Sequence, residues 1–184
     1  QHNPDGLGRA RQARWGGTAY VNNATYHPEG QLKRMQYGNG QIYFQTLNSR
    51  GLPQRITSSK GANKPLDLTY NYNKRGLVTN ISDASPRNLD LSLGYDGLEQ
   101  IISATGTQWG TGEFKYDSLG NIRFKRLGGR RTTVSYNSKY QVSKSIDVGN
   151  LGGNTGTRGF NHDSRGNITK AGNLSFNYNY ADQP

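Results

Sequence analysis

Cysteine is absent from this chain of 184 residues, and methionine occurs only once. Without cysteine, disulfide bonds and thiolate metal sites are excluded as a framework for the fold. No apolar run approaches the roughly 20 residues that a membrane-spanning helix needs, and no signal peptide is visible. Because the chain begins with Gln1 and its methionine is Met35, we expect it to be a fragment of a longer polypeptide.

Apolar and acidic residues are also scarce. Hydrophobic residues make up 31% of the chain, and the formal net charge is +11. Such values lie close to those of disordered chains. However, the sequence also contains 12 Tyr, 5 Phe, 2 Trp and 25 Gly, which are typical of strands and turns. The composition therefore favours a folded, turn-rich β protein.

A seven-residue motif recurs along the whole chain, as in YDGLEQI and YDSLGNI. It has an aromatic residue at slot one, Asp or Asn at slot two, usually Gly at slot five and an aliphatic residue at slot seven. Successive copies begin 16 to 26 residues apart, a loose period that is typical of repeat proteins. The copies begin at Pro4, Tyr26, Leu47, Tyr72, Tyr95, Tyr116, Tyr136, His162 and Tyr178.

The segments beside each motif alternate between apolar and polar residues, as strands with one buried face do. LTYNYN at 68–73 is one example. After the motif YDSLGNI, the pattern places Ile122 and Phe124 on one face and Arg123 and Lys125 on the other. No stretch shows the 3.6-residue period of a helix. We therefore predict an all-β fold of tandem β-hairpins, one for each motif.

Each slot has a physical role in the predicted hairpin. The slot-two Asp or Asn can accept hydrogen bonds from backbone N–H groups just ahead, and the slot-five Gly can adopt a positive φ. The slot-one aromatic residue would pack on slot seven across the strand pair. Because Glu99, Tyr140 and Asp182 replace the slot-five Gly, we expect their turns to differ locally. The predicted structural positions are Tyr26, Gly30, Gly51, Tyr72, Gly76, Tyr95, Asp96, Tyr116, Asp117, Gly120, Ile122, Tyr136, Asp163, Gly166, Ile168 and Tyr178.

The chain resembles the RHS/YD-repeat family, whose pattern is Tyr-Asp-x-x-Gly-x-aliphatic. The copies that carry this resemblance are YDSLGNI, YDGLEQI, YNKRGLV and HDSRGNI. The resemblance covers essentially the whole chain, most securely residues 66–184. It is strongest to bacterial RHS proteins, which contain segments similar to TYHPEG at 25–30, RGLP at 50–53, ISDA at 81–84 and YDGL at 95–98.

The resemblance implies a curved β-sheet strip that forms part of a hollow spiral shell. Insecticidal toxin-complex C components and teneurin shells share this repeat type. It further implies that residues 1–184 are a single array of about nine repeats, a non-catalytic wall segment around a C-terminal toxin or effector cargo. The expected partners are that cargo and neighbouring RHS repeats, and the expected location is secreted or at a bacterial cell surface.

Candidate catalytic and metal-binding groups are few. His27 occupies slot two of its motif and His162 occupies slot one, so the repeat register explains both. Asp96, Asp117 and Asp163 share slot two and could form a ladder of calcium ligands, but Asn also occupies that slot in other copies. We therefore predict no catalytic residue, no cofactor and no metal site.

Two binding functions remain as alternatives. Secreted or surface glycan binding would use an exposed row of tyrosines, with Trp15 and Trp109 as extra contacts, although these two rings could instead fill gaps between loops. Tyrosines packed between repeats would favour the scaffold. The second alternative, nucleic-acid binding, is a less favoured one suggested by the net charge. Its candidate residues are Lys125, Arg126, Arg130 and Arg131, with Phe124 and Tyr136.

Overall fold

The computed structural model describes residues 2–149 and 156–183, which contain seventeen β-strands and no helix. The predicted all-β fold of tandem hairpins is confirmed. Contacts divide the chain into two compact units. Unit 1 consists of Gln1–Leu93 with Gly106–Gln108, and unit 2 consists of Gly94–Thr105 with Trp109–Pro184. No described segment is an apolar helix long enough to cross a membrane.

Unit 1 is built from successive antiparallel hairpins, in which each strand pairs with the next along the chain. Its strands are β1 (His2–Pro4), β2 (Ala10–Trp15), β3 (Thr18–Tyr26), β4 (Leu32–Tyr37), β5 (Ile42–Leu47), β6 (Pro53–Lys60), β7 (Asn63–Tyr72) and β8 (Val78–Asp83). The next strand, β9 (Leu91–Tyr95), has its first three residues in this unit.

Unit 2 repeats the same meander. From β11 onward each strand again pairs antiparallel with its successor. Its strands are β10 (Ile101–Gly106), whose last residue belongs to unit 1, β11 (Gly110–Tyr116), β12 (Ile122–Leu127), β13 (Arg130–Tyr136), β14 (Val142–Val148), β15 (Gly156–His162), β16 (Ile168–Ala171) and β17 (Leu174–Ser175).

Two kinds of turn alternate along the chain. One kind is the seven-residue motif, which we call the motif turn, as between β11 and β12. The other kind joins the hairpins at their opposite ends and often contains glycine, as at Gly16–Gly17 and Gly128–Gly129. One motif turn and one connecting turn therefore complete each repeat.

A period-two pattern separates the two faces of the sheet in unit 1. Leu68 lies opposite Ile56, and Tyr70 lies opposite Ile81. Directly opposed residues of an antiparallel pair project to the same face, so these apolar side chains share one face. The intervening Thr69 projects to the other. The alternation predicted for residues 68–73 is present.

The alternation in unit 2 is interrupted beside each motif turn. Ile122 pairs with slot one and Phe124 pairs with Lys115, so Arg123 is an extra residue that forms a β-bulge. As a result, Ile122 and Lys125 line the same hollow, and Phe124 projects to the opposite face. We call this concavity the hollow; its other lining residues include Leu127, Arg130, Thr132, Val134, Tyr136 and Val142. The predicted grouping of Ile122 with Phe124 against Arg123 and Lys125 is wrong, because a bulge shifts the register by one residue.

The strands bury little apolar surface completely. Ala24 and Ala104 are the buried hydrophobic residues of the described chain, and no large side chain there is fully buried. Most aromatic and aliphatic side chains are instead half-buried on the face that carries the slot-one residues. Within each unit the described strands form a single layer, and no second layer of that unit's own described strands covers this face.

Candidate functional site

The motif turn at residues 116–122 shows the local geometry that the repeated sequence encodes. The Oδ1 atom of Asp117 accepts hydrogen bonds from the backbone N–H groups of Leu119 (3.0 Å) and Asn121 (2.9 Å). The N–H of Gly120 donates to the carbonyl oxygen of Asp117 at 3.0 Å, and Gly120 has a φ of +82°. The side chain of Asp117 thus satisfies backbone donors that the turn leaves without partners.

The same geometry recurs in the other motif turns. In eight of the nine, the slot-two Oδ1 accepts from the N–H groups two and four residues ahead. The turn at His27 keeps the backbone bonds, but its Nε2 lies 3.1 Å from the carbonyl oxygen of Gln45. Asp and Asn are interchangeable here because each offers the same oxygen.

Slot five has a positive φ in every motif turn, whatever residue occupies it. Gly30, Gly51, Gly76 and Gly166 lie between +74° and +94°. The same turn persists where glycine is replaced: Glu99, Tyr140 and Asp182 have φ values of +65°, +60° and +55°. The expectation that these three turns differ is wrong, because the slot-two bonds hold the backbone in the left-handed region despite its steric cost.

The turn geometry lowers the pKa of the slot-two carboxylates. Partial burial raises the pKa of Asp117, but the hydrogen bonds from the backbone and side chain of Asn121 and from the N–H of Leu119 lower it below 3.8. Asp163 shows the same balance. These hydrogen bonds favour the charged form, so the carboxylates are structural acceptors in their turns.

Slot one and slot seven face each other across the hairpin. Tyr116 is paired with Ile122, and His162 with Ile168. The slot-one tyrosine also reaches the preceding repeat: the hydroxyl of Tyr116 donates to the carbonyl oxygen of Ile101 at 2.8 Å. That acceptor is the slot-seven residue of the previous motif. Tyr26, Tyr72 and Tyr136 make the equivalent bond to Ala10, Pro53 and Ile122, at 2.5, 2.6 and 3.0 Å.

Slot six provides a second connection between repeats, which sequence reasoning missed. The side-chain amide of Gln31 donates to the carbonyl oxygen of Gly51, the slot-five residue of the next motif, at 3.1 Å. A Cβ atom placed on Gly120 would lie 2.9 Å from Nε2 of Gln100. The recurrence of Gln at slot six in several copies was the available signal, but its partner becomes visible only once the hairpins are stacked.

Tyr70, Tyr95, Tyr116, Tyr136 and Tyr178 are all half-buried, and they do not form an exposed aromatic row. Trp15 is 80% exposed, so it does not fill a gap between loops. Trp109 is 39% exposed, and its ring lies beside Gly112 in the strand that follows it, because a Cβ atom on Gly112 would be 3.1 Å from its Cζ3. Trp15 belongs to unit 1 and Trp109 to unit 2.

The predicted basic cluster is divided between the two faces of the hairpin. Lys125 and Arg130 line the same hollow as Tyr136. Arg126 and Arg131 lie directly opposite each other on the other face. The six residues proposed as a nucleic-acid site therefore do not form one surface.

Among the described residues, no group of three or more His, Asp or Glu side chains is arranged to hold a metal ion. His162 is paired with Ile168 in its hairpin, and Asp96 accepts the turn hydrogen bonds of Leu98 and Gln100. The geometry thus gives these side chains roles in holding turns and strands together.

No protein-family model and no curated protein matches this sequence. Solved structures do match its fold. A Photorhabdus luminescens Tc holotoxin pore containing mutated TccC3 aligns with a TM-score of 0.60 at 16% identity, covering 92% of this chain and 12% of that one. The TcdB2-TccC3-Cdc42 crystal structure aligns with a TM-score of 0.56 at 18% identity, covering 91% of this chain and 9% of that one. The likeness shows a shared fold, over about a tenth of those chains.

Proposed function

We propose that this chain is a wall segment of an RHS-type shell, a non-catalytic scaffold that helps to enclose a polypeptide cargo. The observation that carries the proposal is the motif turn, repeated nine times with a positive φ at slot five. The fold likeness to Tc toxin chains supports it. In this proposal the sixteen slot residues predicted from the sequence are structural positions.

The links between repeats suit a wall. A hydroxyl bond from slot one and a side-chain contact from slot six both reach the adjacent hairpin. A single hairpin is marginally stable in water, whereas stacked hairpins stabilise one another. A continuous strip can therefore be extended repeat by repeat without a second layer.

The nature of the cargo follows from the relatives by analogy. The similar structures are Tc toxin complexes, so we propose a toxin or effector cargo in the same parent chain and delivery outside a bacterial cell or at its surface. The apolar face of the described strands of each unit is half-buried, which is compatible with contact to such a cargo.

Protease protection of the native polypeptide tests this proposal. We would detect the native protein by immunoblot, define its two ends by mass spectrometry, and digest it before and after denaturation. The expected product is several times larger than 20.3 kDa, with a distinct domain that resists protease until the shell is unfolded. A native product close to 20.3 kDa, or a further domain that is cleaved as readily as a free protein, would contradict enclosure.

A further inference from the structure

The face of unit 2 that carries Phe124, opposite the hollow, is strongly basic. We call it the basic face. Strand register defines its members, because directly opposed residues share a face and alternate residues of a strand return to it. They are Glu113, Lys115, Phe124, Arg126, Arg131, Thr133, Ser135, Lys144, Ile146, Val148, Thr157, Gly159, Asn161 and Lys170.

Acidic residues do not neutralise this charge. Glu113, the acidic member, lies 3.1 Å from the ammonium of Lys115 and 3.3 Å from the guanidinium of Arg126, so it serves two cations at once. Among described residues, no carboxylate lies within ion-pair distance of the exposed Arg131 and Lys144. The basic face therefore carries several exposed positive charges without a counter-charge.

One pair of these cations is unfavourably placed for stability. Arg126 and Arg131 lie directly opposite each other on β12 and β13, and like charges at opposed positions destabilise a strand pair. Glu113 reaches Arg126, while Arg131 has the apolar Val148 as its other cross-strand neighbour. A bound anion would remove this repulsion.

The charge is not a general consequence of the repeat. On the equivalent face of unit 1, Arg55 donates two 2.7 Å hydrogen bonds to the buried carboxylate of Asp67. The neighbouring positions Asn71, Asn80 and Ser92 are uncharged. Both units have the same hairpin architecture, but among the described residues this face of unit 1 carries one cation without an ion pair, Arg34, whereas that of unit 2 carries Arg131, Lys144 and Lys170.

The side chains between the cations indicate the chemistry of the partner. Thr133, Ser135, Thr157 and Asn161 offer hydroxyl and amide groups to a polar ligand. Single-stranded nucleic acid needs aromatic platforms for its bases, whereas Phe124 is half-buried and lies 5.4 Å beneath the ammonium of Lys115. We infer that the basic face binds an acidic polysaccharide, whose sulfate or carboxylate groups pair with Arg131, Lys144 and Lys170 and whose hydroxyl groups meet the Ser, Thr and Asn side chains.

The experiment compares two triple variants of the 184-residue chain that change the net charge equally. The first carries Arg131→Glu, Lys144→Glu and Lys170→Glu on the basic face. The control carries Lys60→Glu, Lys64→Glu and Lys74→Glu, three exposed lysines of unit 1. Binding to dextran sulfate is measured by titration over a range of salt concentrations, with uncharged dextran as the ligand control, and circular dichroism establishes that both variants are folded.

We expect the basic-face variant to bind dextran sulfate at least about tenfold more weakly than the native chain, as the loss of three exposed ion pairs allows. Its affinity should also fall less steeply with salt, because fewer counterions are released. The unit 1 control should retain affinity within about twofold.

Three outcomes would overturn the inference: equal losses in both variants, no binding by the native chain, or tighter binding to single-stranded oligothymidylate than to dextran sulfate. A variant that fails to fold is replaced by single charge reversals at Arg131 and Lys144, judged by the same criteria. Because the binding assay does not depend on a cargo, failure here leaves the shell proposal intact.

Discussion

At the scale of single residues, slot five shows how strongly a turn imposes its backbone conformation. Glycine adopts a positive φ without strain, whereas other residues pay a steric cost of about 1–2 kcal/mol. The chain tolerates Glu, Tyr and Asp at this slot with an unchanged turn. Slot five therefore provides paired tests in which glycine is lost from one turn and added to another.

The first test removes glycine from the motif turn of residues 116–122. We expect Gly120→Val to lower the free energy of unfolding by about 1–3 kcal/mol, because a β-branched residue is strained at φ +82°. Its Cβ would also lie 2.9 Å from Nε2 of Gln100. Urea denaturation of the two proteins measures the difference. An unchanged midpoint would show that slot five does not limit stability.

The second test adds glycine where it is missing. The Tyr140 side chain is 66% exposed and has a φ of +60°, so little packing is lost on truncation. We expect Tyr140→Gly to raise the free energy of unfolding by about 0.5–1 kcal/mol, since relief of strain exceeds the added entropy of the unfolded chain. Thermal denaturation provides the comparison, with Tyr140→Ala as the control that removes the ring but keeps the strain. A lower midpoint for the glycine variant than for the alanine variant contradicts the expectation.

Slot two links stability to pH. The folded-state pKa values of Asp117 and Asp163 are below 3.8, so their contribution to stability is present above that value and is lost as the pH falls through the folded pKa. We expect the double variant Asp117→Asn, Asp163→Asn to lose less stability than the native chain between pH of about 6 and about 3.

Thermal melts across this pH range measure the effect, and Asn137→Asp is the reciprocal variant. Asn137 accepts the same two backbone bonds at 2.9 and 3.0 Å, so the aspartate should steepen the loss of stability on acidification. Parallel pH profiles for all three proteins would show that these carboxylates do not determine acid stability.

At the scale of the elements, the slot-one tyrosine joins one hairpin to the previous one. We expect Tyr116→Phe to lower the free energy of unfolding by about 0.5–1.5 kcal/mol, because the 2.8 Å hydrogen bond to the carbonyl oxygen of Ile101 is lost while the ring remains. Tyr180→Phe is the matched control, since its side chain is fully exposed. Equal effects of the two substitutions in urea denaturation would rule out the inter-repeat bond as a source of stability.

Local signals in the sequence predicted the hairpins well. Alternation and motif spacing locate the strands, and the slot-two residue forms the turn with neighbours only two and four residues away. The prediction of the sheet face on which Lys125 lies was wrong. The bulge at Arg123 arises from the way two strands pair, so the sequence of one strand does not reveal it. The contact from Gln31 to Gly51 was missed for a related reason, since its partner belongs to the next repeat.

At the scale of the whole molecule, the small amount of completely buried apolar surface should be visible in calorimetry. Ala24 and Ala104 are the buried apolar residues of the described chain. Heat capacity rises when apolar surface becomes exposed on unfolding. We therefore expect an unfolding heat-capacity change below the usual value of about 12–15 cal/mol/K per residue. Differential scanning calorimetry of the 184-residue chain tests this, and a value within the usual range would indicate that the apolar face is covered in solution, for example by self-association.

The bond from each slot-one tyrosine to the preceding motif also bears on how the chain folds. Its acceptor lies about 15 residues earlier, as from Tyr116 to Ile101, and the acceptor therefore leaves the ribosome first. Contacts of such short sequence separation favour rapid folding. Each new hairpin can dock on one that is already complete, so the polypeptide can acquire its structure progressively during translation, without waiting for its distant C-terminal residues.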